Sequence, residues 1–126
     1  MALVKALDHF TILTNRLAET VDFFVDVLGL ENRPEDRPAF QVQGAWLWLE
    51  DRALVHLIEI DADKGSANGS FDHVAFRTEN FDALVDKLSS MGVEHSVADQ
   101  PQTRLRQLFF DDPNGVKLEV TCPAEG

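Results

Sequence analysis

Between residues 5 and 13 apolar and polar side chains alternate. Leu7, His9, Thr11 and Leu13 fall on one side of an extended segment and Asp8, Phe10 and Ile12 on the other, which is the period-two signature of a strand with His9 at its middle. The period then changes. Leu17, Val21, Phe24, Val25 and Leu28 recur at helical spacing, Thr14 and Asn15 offer N-cap oxygens in front of them, and Gly29 is placed to end the helix in a left-handed conformation. Residues 31–38 hold two prolines and no periodicity, so they read as a loop. Three runs of strand formers follow, 39–43, 45–49 and 54–60, separated by Gly44 and by the charged Glu50-Asp51-Arg52 turn. Residues 61–70, rich in Gly, Ser, Asn and Asp, read as a linker.

The second half repeats this order. A strand over 72–78 leads to a helix over 81–91 with Phe81, Leu84, Val85, Leu88 and Met91 on one face, Asn80 as its N-cap and Gly92 as its stop. A short strand at 94–97, a loop at 98–104, a strand at 105–111, the Asp112-Pro113-Asn114-Gly115 turn and a strand at 116–121 complete it. The chain is thus read as α+β, two tandem β-α-β-β-β modules at about 5–60 and 71–121. Superposed at an offset of 64, Leu7 meets Phe71, Asp8 meets Asp72, His9 meets His73, Leu17 meets Phe81 and Val21 meets Val85. At the ends of the modules an offset of 63 sets His56 on Glu119.

That duplication brings in the candidate chemistry. Three of the four histidines, His9, His56 and His73, together with Glu119, take equivalent strand positions, whereas His95 does not. If the modules pack about a pseudo-twofold axis, these four donors converge on it, and three imidazoles with one carboxylate suit a divalent first-row transition metal better than Mg²⁺ or Ca²⁺. Trp46 and Trp48 share a strand face that should neighbour His56 and are candidates to wall an apolar pocket. Arg77 shares a face with His73 and is a candidate partner for a substrate carboxylate, with a solvated strand-end arginine as the simpler reading.

Composition narrows the partners. In 126 residues, 11 basic against 22 acidic side chains give a net charge of −11 before histidines, which repels nucleic acid and anionic membrane surfaces. At 44% hydrophobic residues one domain-sized core is available. The first five residues are too short and too quickly charged for a secretory signal, and no apolar run approaches the ~20 residues of a membrane helix, so a cytoplasmic protein is expected. The single Cys122, just past the last strand and with no basic neighbour in sequence, reads as a passive thiol.

The D-H pairs at 8–9 and 72–73, the helix ending Val27-Leu28-Gly29-Leu30 and the run from Phe110 to Glu119 resemble the vicinal oxygen chelate superfamily, which includes glyoxalase I, methylmalonyl-CoA epimerase, fosfomycin and bleomycin resistance proteins and extradiol dioxygenases. The resemblance implies one domain over 1–126 whose modules form a half-barrel cleft. It also implies metal ligation by His9, His56, His73 and Glu119, and a homodimer. Where relatives resembling glyoxalase I carry a carboxylate, this chain has His56, which would leave a divalent site about one charge more positive. The leading expectation is a lyase or isomerase that uses Ni, Co, Mn, Zn or Fe on a small oxygen-chelating substrate, with Glu119 and His56 as the residues that move protons. One alternative is an Fe(II) ring-cleaving dioxygenase in which His9, His73 and Glu119 bind iron and His56 stays free, although such members are usually about twice this length. Another is a metal-free small-molecule-binding resistance protein, for which the acidic balance and the tryptophans suit a cationic ligand.

Overall fold

The computed structural model describes residues 2–3, 6–63 and 71–124. Residues 64–70 of the expected linker, with Val4 and Lys5 at the expected start of the first strand, lie outside the described residues. Two compact units divide the chain, Met1–Lys64 and Gly65–Gly126. Each is a β-α-β-β-β module in which one helix packs on one four-stranded sheet.

In the first unit β1 (Phe10–Thr14), α1 (Leu17–Leu28), β2 (Glu31–Asn32), a 3₁₀ turn (Pro34–Asp36), β3 (Gly44–Leu49) and β4 (Arg52–Glu59) follow in order, and the sheet runs β1-β4-β3-β2. In the second, β5 (Val74–Arg77), α2 (Phe81–Ser90), β6 (His95–Gln100), β7 (Leu105–Asp111) and β8 (Lys117–Pro123) give the sheet β5-β8-β7-β6. The first strand of each module runs parallel to the last, and the helix makes that crossover possible. Between the others the pairing is antiparallel.

The period-two reading of the first strand holds, and the buried side is that of Ile12 and Thr14, while Thr11 and Leu13 are exposed. Val55, Leu57, Ala45 and Leu47 extend this buried face under α1, which contributes Thr20, Phe23, Phe24 and Val27. The apolar stripe of α1 is therefore turned toward Phe23 and Val27, leaving Leu17, Val21, Val25 and Leu28 half-buried at its sides. In the second module Leu108, Phe110, Leu118 and Val120 form the matching buried face, and Phe81 and Leu88 are the buried residues of α2. Among the described residues sixteen apolar side chains are buried, and a polar side chain placed among them without a hydrogen-bond partner would be costly.

Several expectations are corrected. The strand placed over 39–43 is not one; the second strand is Glu31–Asn32, inside what reads as loop, because only that segment lies against β3 (Glu31 opposite Trp48). His9 and His73 do not sit within strands but immediately before β1 and β5. The N-cap of α1 is Arg16, whose N–H donates to Thr14 Oγ1 at 3.0 Å, and Asn80 N–H donates to Thr78 Oγ1 at 2.9 Å in the same way, so a threonine two residues earlier closes each turn. Gly29 ends α1 at φ 73° as expected, a conformation that costs glycine no side-chain clash. Residues 98–100 continue β6 rather than forming a loop, and Cys122 lies within β8 opposite Arg106.

The last turn owes its shape to one carboxylate. Asp112 is buried, its Oδ1 accepts the backbone N–H groups of Asn114 (2.8 Å) and Val116 (2.9 Å), and its Oδ2 accepts from Asn114 Nδ2 (3.1 Å). Burial pushes its pKa up against these hydrogen bonds. The turn sets the start of β8 and thereby the register of Glu119.

Candidate metal centre

The duplication is visible in the ladders themselves. Thr11 lies opposite His56, and at the repeat offset Ala75 lies opposite Glu119; on the other side Trp46 faces His56 and Phe109 faces Glu119. Residues directly opposite share a sheet face, so each module displays its candidate donor on the side away from its helix. This also decides the hairpin register: Phe109 shares the face of Glu119, and Phe110 is buried on the other.

In the first module His9 and His56 stack, with ring centroids 3.8 Å apart and planes 11° from parallel, and His56 stacks in turn on Trp46 at 4.2 Å and 13°. His9 Nδ1–H donates to Asp8 Oδ1 at 2.7 Å, which leaves the lone pair of a neutral ring on Nε2. An Arg52 guanidinium that donates to Leu7 O anchors the segment leading into this pair. His56 Nε2–H donates to Ala53 O at 3.0 Å, so its free lone pair is on Nδ1. Because lone pairs lie in the ring planes, two nearly parallel stacked imidazoles do not aim at a common point. Burial, then the neighbouring His9, depress the pKa of His56, with Arg37 adding to the effect and the Ala53 carbonyl and Asp8 opposing it. His56 is therefore neutral at pH 7.

The second module is built differently. His73 Nδ1–H donates to Asp72 Oδ2 at 2.7 Å, and its Nε2 stands 3.1 Å from Glu119 Oε1. Gln107 Nε2 donates to Glu119 Oε2 at 3.5 Å, and Glu119 is only 8% exposed. Lys117 Nζ lies 3.5 Å from Asp72 and over the Phe109 ring. Hydrogen bonds from His9 and from His73 hold the Asp8 and Asp72 pKa values below the usual carboxylate range. A neutral imidazole with Nδ1–H given to Asp72 presents a lone pair to Glu119, so two electron-pair donors meet at 3.1 Å and require a positive charge between them, a proton or a cation. Two adjacent ligands of one ion with bonds of about 2.1 Å stand roughly 3.0 Å apart, so this donor pair fits a divalent transition metal. Among the described residues no group of three or more His, Cys, Asp and Glu side chains is arranged to hold a metal ion; each module brings together two of the four candidates.

Of the other candidates, Trp46 neighbours His56 as expected. Trp48 follows a register irregularity after Leu47, with the Arg33 guanidinium 4.9 Å from its ring centroid and its indole N–H buried without a partner among the described residues. Arg77 is exposed and lines a cavity of about 580 Å³ with Asn80, Phe81, Arg106 and Cys122 at the start of α2. His95 stands apart from these candidates in its bonding, its Nδ1–H being held by Val93 O at 2.9 Å. Asp8 and Asp72 were in view in the repeated D-H pair, but their role as hydrogen-bond partners of the histidines needed the geometry. Gln107 had no sequence signal.

A family model described as Glyoxalase/Bleomycin resistance protein/Dioxygenase superfamily matches residues 6–120. The chain is similar to Glyoxylase I 4 of Arabidopsis thaliana, at 28% identity over 126 residues that cover 93% of this chain and 70% of that protein. It is similar to the metallothiol transferase FosB of Shouchella clausii, at 26% identity, covering 94% of this chain and 80% of that protein. Among solved structures a mutant of the fosfomycin resistance protein FosX from Listeria monocytogenes, complexed with Mn(II) and 1S,2S-dihydroxypropylphosphonic acid, shares the fold at a TM-score of 0.77 and 19% identity, covering 97% of this chain and 95% of that one. Among the described residues no helix is long and apolar enough to cross a membrane.

Proposed function

The chain belongs to the glyoxalase/bleomycin resistance protein/dioxygenase superfamily, and from that premise we propose that it is a metal-dependent lyase or isomerase acting on a small substrate with two adjacent oxygens. The observation that carries this reading is the approach of His73 Nε2 and Glu119 Oε1, two donors 3.1 Å apart with no proton of a neutral imidazole left to separate them. The relatives named for glyoxylase and metallothiol transferase activities support it.

In this reading His9, His73 and Glu119 are the ligands of the ion. Ni, Co, Mn, Zn or Fe, when bound, supplies Lewis acidity toward the oxygens of the substrate. Asp8 and Asp72 fix the two imidazoles in the tautomer that keeps Nε2 free. Gln107 holds the second oxygen of Glu119. His56 is the proton acceptor: it is neutral, its Nδ1 carries the lone pair, and the Trp46 ring and the Ala53 carbonyl hold it in place. Its stacking on His9 favours this role over the four-ligand arrangement, in which both rings would have to point at one ion.

The test combines elemental analysis of the purified protein with deuterium exchange at the carbon next to the carbonyl of α-hydroxycarbonyl probes, followed by NMR in D₂O. About one transition metal per chain and metal-dependent exchange are expected. Metal without exchange, together with oxygen uptake on a catechol by the Fe(II)-loaded protein, would replace this reading by ring cleavage. Absence of metal after Ni²⁺, Co²⁺, Mn²⁺ and Zn²⁺ loading would leave a binding protein.

A further inference from the structure

Resting on that metal-enzyme reading for its consequence, we propose that Arg52 and Lys117 are positioning residues, each tethering the D-H pair of its own module so that the histidine is held ready for the ion. The two pairs need a tether because the sheets do not hold them. Ladder pairing begins at Phe10 in the first module and at Val74 in the second, one residue after each histidine. Burial does not hold them either: Leu7 and Phe71, which precede the pairs, are 60% and 59% exposed, and the Asp8 and Asp72 side chains 92% and 73%. A segment that leaves the end of a sheet without ladder bonds or buried contacts frays unless something ties it down.

In each module one cation reaches this segment from the last strand, which lies beside the first. The Arg52 guanidinium, at the start of β4, donates to Leu7 O, two residues before His9. Lys117 Nζ, at the start of β8, stands 3.5 Å from Asp72 Oδ2, the same oxygen that takes His73 Nδ1–H at 2.7 Å. Hydrogen bonds from the histidines depress the pKa of both aspartates, and Lys117 at Asp72 and Arg52 at Asp8 add to the effect. The two tethers are not copies of one residue. At the offset of 63, Arg52 falls on Gly115 and Lys117 on Leu54, which is buried, so the modules meet the same need with different side chains. They also grip different atoms, a backbone carbonyl in the first module and a carboxylate in the second. Lys117 Nζ stands 5.5 Å from the Phe109 ring centroid, which limits where the ammonium can go. Arg52 is exposed and the Lys117 side chain is 44% exposed, so water and salt screen their repulsion of a bound ion. Loss of the tether therefore decides the sign of their removal.

The experiment compares the full-length protein with Arg52→Met, Lys117→Met and the conservative Lys117→Arg. In the metal-free state ¹⁵N relaxation gives backbone order parameters and ring ¹⁵N shifts give the histidine tautomers; Zn²⁺ alone, in competition with a chelating dye, then gives a dissociation constant. In Arg52→Met the order parameters of Asp8 and His9 should fall from about 0.85 toward about 0.6 while those of Asp72 and His73 stay. Lys117→Met should do the reverse and mix the second tautomer into His73, and Lys117→Arg should restore it. The Zn²⁺ dissociation constant should rise about three- to tenfold in each methionine variant, less than the roughly 10–100-fold that follows loss of a ligand's direct partner. A general loosening of the fold moves both segments together, so selectivity for one module is the result that a merely structural role does not give. Arg52→Gln or Lys117→Gln replaces a methionine variant that does not fold. Unchanged order in both segments, or equal loss in both, overturns the proposal, and so does an unchanged dissociation constant beside a wild type that binds Zn²⁺. A module-selective loss of order in a protein that binds no metal sinks the metal-enzyme reading and leaves the tethers standing.

Discussion

The two modules share a scaffold to the level of register and differ in what they place on it. Where the first sets an imidazole between Thr11 and Trp46, the second sets a carboxylate between Ala75 and Phe109. The consequence is electrostatic. In the first module burial and the neighbouring His9 push His56 toward its neutral form, which suits a proton acceptor. In the second a carboxylate faces a histidine whose other nitrogen is committed to Asp72, which suits a cation. On the proposed reading the equivalent positions His56 and Glu119 divide proton handling from cation holding, while Asp8 and Asp72, common to both modules, orient the rings of His9 and His73.

The contrast is sharpest in a pair of substitutions. His56→Ala should leave metal content unchanged and lower turnover by about 10²–10⁴-fold, the usual contribution of a general base, whereas Glu119→Ala should remove bound metal on dialysis. Metal loss in His56→Ala, seen by elemental analysis, would collapse the division and return His56 to the ligand set. A smaller effect separates the equivalent positions Gly44 and Gln107. Gly44→Ala drives a Cβ into Leu57 O and should cost about 3 kcal/mol, while Gln107→Ala loses one long hydrogen bond and should cost about 1 kcal/mol or less; urea unfolding compares them. The smallest effect is that of pH. Because the folded pKa of His56 lies below its ordinary value of 6.5, the unfolded chain binds more protons in the window between them. The stability linked to His56 is complete above pH 6.5 and is lost as pH falls through the folded pKa. Urea midpoints of the metal-free protein should therefore rise with pH through that window, and His56→Gln should flatten the rise.

Much of the fold was legible because it rests on local periodicities. Residues 105–111 form β7 at the expected bounds, and both helices begin and end near their expected limits. The second strand was misplaced because residues 39–43 have strand-forming composition but form no ladder beyond the single Glu59 N–H to Gln43 O bond, while Glu31 and Asn32 have poor composition and a free edge of β3 beside them. Strand formation is decided by the neighbour as much as by propensity.

By itself the sequence determined the duplication, the α+β class and the identity of the four candidate donors, since repeats and periodicities are properties of spacing along the chain. Only the tertiary structure decided that His9 and His56 stack rather than converge, that Asp8 and Asp72 orient the histidines beside them, and that Glu119 faces His73 Nε2 across 3.1 Å. Tautomer, ring orientation and donor separation depend on contacts between segments distant in sequence, and spacing along the chain carries no record of them.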